Sequence, residues 1–307
     1  MTERVLVIGA STVDIKGLAS GPLISSTSNP GQIKFSCGGE ARNVADNLAR
    51  LGLDAKLFSA VGRDGLGHTV LEETAQAGVD MEAMIISPDR HTAAYLAVLD
   101  ESGALAVSID DMMVLDLITP QYIFRHRKWF KQAVLVVMDA NVGPATMGLV
   151  FKLAERYRVP VALNTVSVSL APRVRPFLSR LHVLAANLSE ASAVVGRPLA
   201  DHTEAMAAAR EMVSAGVKVA IITLAENGLC YATPSESGYI SAISCDVVDN
   251  TGAGAALMAA VLYGLIHQMP AAEAMRLGVS AATLTLKCAE TVCKELDLEH
   301  LYDQLVI

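Results

Sequence analysis

From Val5 to Leu224 the chain alternates short, fully apolar runs with longer stretches whose apolar side chains recur at helical spacing. Val5 to Ala10, Ala133 to Met138, Val159 to Leu163, Leu181 to Leu184 and Val219 to Leu224 are the apolar runs, and Ala55 to Val61 reads as a further strand. A strand apolar at every position has to be covered on both faces, which a parallel sheet between two helical layers achieves. The stretches between, such as Met147 to Tyr157, then serve as crossover helices of βαβ units. At 307 residues the chain is long enough for one large α/β domain, or a main domain with a small appendage.

The appendage is written in a different idiom. Ser, Gly, Pro and Asn dominate Ser20 to Gly31, and Gln32 to Ser36 alternates polar and apolar residues like an exposed strand. Thr92 to Ile109 supplies two more β-like runs around a turn at Asp100 to Gly103. These pieces, from about residues 15–36 and 92–110, predict a small sheet standing off the main domain. Such a sheet with one apolar face must cover something or pair with a second subunit.

Charge and cysteine usage exclude several classes. A net charge of −8 without basic clusters argues against a nucleic-acid surface. The apolar runs stay short of the roughly 18 residues of a membrane span. The chain enters a strand at Val5 without a signal peptide's apolar region. The five scattered cysteines predict free thiols in a cytoplasmic protein, with neither zinc nor a disulfide.

Two glycine-headed stretches carry the chemistry. Asp249-Asn250-Thr251-Gly252-Ala253-Gly254-Ala255-Ala256 lies between a β-rich run, Tyr239 to Val248, and a long apolar helical run, Ala255 to Ile266. A glycine turn opening a helix leaves N–H groups unpaired at the positive end of the macrodipole, which suits phosphate or a developing oxyanion. Gly38-Gly39-Glu40-Ala41-Arg42-Asn43 opens a second helix, with Val44, Leu48 and Leu51 at helical spacing and Gly52 as its stop.

Together the two stretches resemble the paired signatures of the PfkB, or ribokinase-like, sugar and nucleoside kinases. The words Ala60-Val61-Gly62-x-Asp64-x-x-Gly67, Asn187-x-x-Glu190 and a loop ending in Gly228 follow the family in the same order. The resemblance implies a three-layer α/β domain with a mostly parallel central sheet and a β-sheet lid. It also implies ATP-dependent phosphotransfer to a small-molecule sugar or nucleoside, with Mg2+ and a monovalent cation such as K+, and a homodimer through the lid. Ser28-Asn29-Pro30-Gly31-Gln32-Ile33-Lys34-Phe35 and Ile109-Asp110-Asp111-Met112 are similar to the family's pseudouridine kinase branch, which implies a ribose 5′-hydroxyl as acceptor.

Asp14 reads as lying just past the end of the strand Val5 to Ala10, where open α/β sheets bind ligands. Carried over residue by residue, the resemblance implies that Asp14, Lys34, Gly38, Gly39, Asn43 and Asn141 hold the sugar. Gly252, Ala253 and Gly254 would form the anion hole. Asn187, Thr223, Glu226, Gly228, Thr251, Gly252 and Gly254 would border the nucleotide, and Glu190 would order the magnesium shell. The family's catalytic Asp falls at Ala255, and its nucleotide side departs further at Asn164, Ala185, Ala186 and Ala225. A methyl cannot act as a base, so impaired or absent turnover is expected. The alanine reads either as a substitution that traps substrate or as natural loss. Three functions stay open: a pseudouridine-type kinase with weakened activity, another sugar or nucleoside kinase of the family, and a catalytically dead nucleoside-binding or regulatory protein.

Overall fold

The computed structural model describes residues 3–305. In chain order its elements are β1 (Arg4–Ile8), β2 (Thr12–Ala19), β3 (Gly31–Gly38), α1 (Glu40–Arg50), β4 (Asp54–Phe58), β5 (Ala60–Gly62) and α2 (Gly65–Gln76). β6 (Ile85–Ser87), β7 (Ala94–Leu99), β8 (Leu105–Asp111), α3 (Pro120–Arg125), β9 (Ala133–Asp139), α4 (Pro144–Tyr157) and β10 (Val161–Asn164) follow. The last third holds β11 (Val183–Asn187), α5 (Leu188–Val195), α6 (His202–Ser214), β12 (Val219–Thr223), β13 (Leu229–Ala232) and β14 (Ser237–Ile240). It closes with α7 (Ala253–Ile266), α8 (Ala271–Leu286) and α9 (Leu298–Asp303).

The main sheet runs β14-β13-β12-β11-β10-β9-β1-β4. From β12 to β4 every pairing is parallel, and β13 and β14 add an antiparallel edge. Alternate residues of these strands serve two separate cores. Leu6, Ile8, Val136, Met138, Leu163, Leu184 and Ile222 pack under α4, α5 and α6. Val5, Val7, Val137, Ala162, Ala185 and Ile221 pack under α1, α7 and α8. This is the three-layer ribokinase-like arrangement, and the unbroken apolar runs exist because both faces are covered.

A separate four-stranded sheet, β3-β2-β7-β8, forms the lid. Pairing Lys16 with Lys34 and Ala97, and Ile15 with Phe35 and Leu96, fixes which side chains share a face. Asp14, Lys16, Lys34 and Tyr95 fall on one face; Ile33, Phe35, Leu96, Val107 and Ile109 fall on the other and are exposed.

Three expectations are corrected. The run Tyr239 to Val248 is not a strand throughout: pairing ends at Ile240, because β14 is the sheet edge, and Val247 and Val248 lie exposed in irregular chain. Asp14 does not follow the end of a central strand but lies inside β2, since the chain turns after Ile8 and starts the lid at Thr12. The cysteines are not all free. Cys288 and Cys293 are joined, with Cα atoms 5.6 Å apart, while Cys37, Cys230 and Cys245 are thiols. The chain after α8 folds back on itself to lay Thr291 against Gly252 and Cys37, and this brings the two sulfurs together.

Closing so short a loop removes chain entropy worth about 2 kcal/mol from the unfolded state. Reductant, or the Cys293→Ser change, is therefore expected to lower the melting temperature by several degrees in a thermal scan.

Candidate functional site

The strand parity that buries one face under α1, α7 and α8 continues past the carboxyl ends of the strands. There the apolar row becomes polar: Asp139 ends β9, Asn164 ends β10, Asn187 ends β11 and Thr223 ends β12. Asp139 pairs in register with Asn164, Asn164 with Ala185, and Asn187 with Thr223, so these side chains line one ledge. In an open parallel sheet, ligands bind at this ledge.

Asp139 ties the ledge together. One carboxyl oxygen accepts from the Ala10 and Ala41 amides at 2.7 and 3.2 Å, and the other from the Asn141 amide at 2.9 Å. Its carboxyl packs so closely on Gly9 that a Cβ there would collide with it. Burial raises its pKa in spite of these donors. Asn141, expected at the sugar, is thereby turned toward Asp139.

Gly39 begins α1 with φ of 93° and no room for a Cβ beside the Ala10 carbonyl. Gly38 lies directly under the Asp14 carboxyl, which would also displace a Cβ. Asp14 is buried, accepts from Thr12 Oγ1 at 3.0 Å, and burial pushes its pKa up. Asn43 is buried on α1, its Oδ1 held by Arg42 at 3.1 Å. The glycine pair therefore makes space for Asp14, and the sugar-side residues Asp14, Gly38 and Gly39 do converge.

At the other glycine stretch, Gly252 has φ of 88° and backs onto the Thr291 carbonyl. No side chain caps α7, so its first amides stay open toward the exposed Gly254. Ala255 is wholly buried among the apolar residues under α7. The lid reaches this turn through charge. Lys16 Nζ lies 2.7 Å from Asp249 Oδ1 and also donates to Thr251 Oγ1; Lys34 Nζ lies 3.4 Å from Asp249 and donates to the Ala289 carbonyl. Burial opposes ionisation of Asp249, but the Lys16 and Thr251 hydrogen bonds outweigh it and hold the carboxyl at about 2. Lys34, expected to touch substrate, is thus occupied as a tether. Lys16 was not singled out in the sequence, although its two-residue spacing from Asp14 on one strand could have revealed it.

Asn187 and Glu190 form a reciprocal capping box at the start of α5. Glu190 Oε2 accepts from Thr165 Oγ1 at 2.6 Å and the Asn187 amide at 3.0 Å, while Oε1 accepts from Asn187 Nδ2 at 2.8 Å. Beside them opens a cleft of about 930 Å³, lined by Asn187, Thr223, Glu226 and Tyr239 among others. Ala225 sits at φ of 51°, the left-handed region where alanine costs roughly 1 kcal/mol relative to glycine. Gly228, at φ of 90°, fits under the Ile240 carbonyl and shapes the loop from behind the cleft. Asn164, where the family commonly carries Asp, donates to Glu40 Oε1 at 2.7 Å. Glu40 is the other residue that sequence reasoning passed over, since it stood inside a signature without a role of its own.

A doubly covered parallel sheet, a β lid and two glycine-headed helices meeting at the strand ends define a ribokinase-like phosphotransferase. The family model for pfkB family carbohydrate kinases matches residues 2–295, and the chain belongs to that family. The pseudouridine kinase of Escherichia coli (strain K12) is 33% identical over 97% of this chain and 95% of its own length. The guanosine-inosine kinase of Exiguobacterium acetylicum is 29% identical, covering 94% of this chain and 96% of its own. The structure of Arabidopsis thaliana ribokinase complexed with ribose and ATP shares the fold, with a TM-score of 0.83 over 100% of both chains at 20% identity.

The Lys16–Asp249 pair predicts a pH-dependent link between lid and glycine turn. Asp249 has its pKa lowered on folding, so its contribution is present above the ordinary carboxylate pKa and lost as pH falls toward about 2. Asp249→Asn is expected to destabilise the protein by about 1–3 kcal/mol at pH 7 in denaturant titrations. The gap from the parent should narrow below pH 4.

Proposed function

We propose that this protein transfers the γ-phosphoryl group of ATP to the 5′-hydroxyl of a ribonucleoside, with pseudouridine as the preferred acceptor. The observation that carries this reading is that one lid strand bears a buried carboxylate and reaches an uncapped helix N-terminus. Asp14 is seated over Gly38, and Lys16, two residues along the same strand, reaches Asp249 and Thr251 at the head of α7. Asp14 accepts two ribose hydroxyls, and the open amides of α7 stabilise charge on the transferring phosphoryl. The likeness to pseudouridine kinase over nearly the full chain supports the choice of acceptor.

The cleft beside Asn187 and Thr223 is large enough for a nucleotide. Magnesium favours phosphate oxygens and water over an all-protein cage, and among the described residues no three His, Cys, Asp or Glu side chains gather to form one. Glu190, with both oxygens already hydrogen-bonded, acts on it by ordering the loop and nearby water. At α7 the buried methyl of Ala255 stands where the family has its base, which slows turnover and favours, as a second reading, a protein that binds nucleoside without phosphorylating it.

The exposed apolar face of the lid points away from Asp14 and Lys16, so closing over substrate cannot cover it. We assign it to a second copy of the chain, since Ile33 and Phe35 on one edge strand, Leu96 between, and Val107 and Ile109 on the other edge strand all share this exposed face.

Two measurements test this. ADP release should depend on nucleoside, rank pseudouridine above guanosine, inosine and ribose, and rise at least about 10-fold at pH 7 in the Ala255→Asp variant. The panel, run in potassium and in sodium, sinks the kinase reading if neither protein releases ADP with any acceptor. In sedimentation the protein should be a dimer, and Val107→Glu should convert it to monomer without lowering its melting temperature.

A further inference from the structure

We propose that Glu40, at the start of α1, is the general base of this enzyme, taking over from the opposite helix the carboxylate that α7 lacks. This rests on the phosphotransferase reading above.

Of the five carboxyl groups at the two glycine-headed helices and the ledge between them, four are committed elsewhere; Glu226 instead lines the cleft beside Asn187 and Thr223. Asp139 is spent on the amides of Ala10, Ala41 and Asn141. Both oxygens of Glu190 are held by Asn187 and Thr165. Asp249 is paired with Lys16 and Lys34, and at about 2 it is too weak a base to draw a proton from an alcohol. Asp14 lies over Gly38 with the Thr12 hydroxyl, where it grips the sugar. Glu40 differs from all of these. Among the described residues its one hydrogen bond comes from Asn164 Nδ2 to Oε1, leaving Oε2 unpartnered, and the residue remains partly open to solvent.

Its position is also right. Glu40 directly follows the Gly38-Gly39 turn that seats Asp14, and its carboxyl reaches the ledge at Asn164. Asn164 ends β10 in register with Ala185, and α1, which begins at Glu40, packs against α7, which begins at Ala253. Glu40 and Ala255 thus lie in the first turns of two adjoining helices. The charged groups facing Glu40 are Asp139 from β9 and Glu190 from α5. Burial first, then these two negative charges, push its pKa up to about 8, so it holds a proton weakly near neutrality.

In the step, unprotonated Glu40 takes the proton of the acceptor hydroxyl as that oxygen bonds to the γ-phosphorus. The bond from phosphorus to the ADP oxygen breaks, ADP leaves with the electron pair, and the proton passes from Glu40 to solvent. Asn164 is then a positioning residue that aims the carboxylate.

The test compares the parent, Glu40→Gln, Ala255→Asp and the double variant for pseudouridine-dependent ADP release and for pseudouridine binding by calorimetry. Glutamine keeps the hydrogen bond to Asn164 but cannot accept the proton. Glu40→Gln should lose at least about 100-fold in kcat with binding unchanged within about twofold, and Ala255→Asp in that background should restore turnover. The parent's rate should climb with pH to a plateau above about 8, a limb absent from the double variant. A second readout needs no activity. Raised on folding, the Glu40 carboxyl disfavours the folded state as pH rises from its ordinary value of 4.5 to about 8, so the melting temperature of Glu40→Gln should gain on the parent across that window. Glu40→Gln retaining turnover within threefold overturns the assignment, as does an inactive parent beside an active Ala255→Asp, which leaves the kinase reading standing. Absence of both turnover and nucleoside binding in all four proteins overturns the kinase reading and Glu40 with it.

Discussion

A parallel sheet buried on both faces leaves little room for polar side chains along its inner strands, and this constraint places most of the site. Polar residues are displaced to the carboxyl ends, where the helices begin and their amides are free. Asp139 shows how the ends are joined: one carboxylate collects amides from the turn after β1, the start of α1 and the turn after β9. Gly9 and Gly39 are glycines because backbone and carboxylate crowd together there. The ledge of Asp139, Asn164, Asn187 and Thr223 follows from strand register with no separate design.

The lid depends on the same alternation, used differently. In a two-faced sheet with period two, residues 14, 16 and 34 share the inner face while 15, 33 and 35 share the outer. One face can therefore be charged and turned to the glycine turn of α7, and the other apolar and turned away. Lys16 and Lys34 converge on Asp249, so the lid is fixed to the turn that opens α7 with uncapped amides. The strand that carries Asp14 and the head of α7 are consequently parts of one mechanical unit. The loop closed by Cys288 and Cys293 supports that unit from behind through Thr291.

The carboxylates of the site illustrate how environment divides labour among identical groups. Asp249 is held ionised by ammonium and hydroxyl donors, Asp139 is buried under amides, Glu190 is a cap, and Glu40 is raised by burial and by neighbours of like charge. Replacing the carboxylate at 255 by a methyl leaves the helix and its open amides in place. What changes is which remaining group can move a proton, the role proposed above for Glu40.

Much of the architecture was legible in the chain, because long apolar runs and glycine-headed helices are local signals that the structure retains. The parallel strands, α7 and the lid turn at Asp100 to Gly103 appear where the residues placed them. Tyr239 to Val248 misled, because β-propensity does not say whether a partner strand exists. The bond between Cys288 and Cys293 was missed because cysteine spacing is blind to a chain reversal after a helix. The partners of Lys34 and Asn43, Asp249 with Ala289 for the one and Arg42 for the other, lie beyond what a motif encodes. The sequence by itself determined the family, the layers and the absence of a carboxylate at 255, since each is written in contiguous residues. Only the tertiary structure decided that Lys16 meets Asp249 and that Glu40 meets Asn164. Those pairs join residues 233 and 124 positions apart, and their energies exist only once the chain has brought the ends of different elements together.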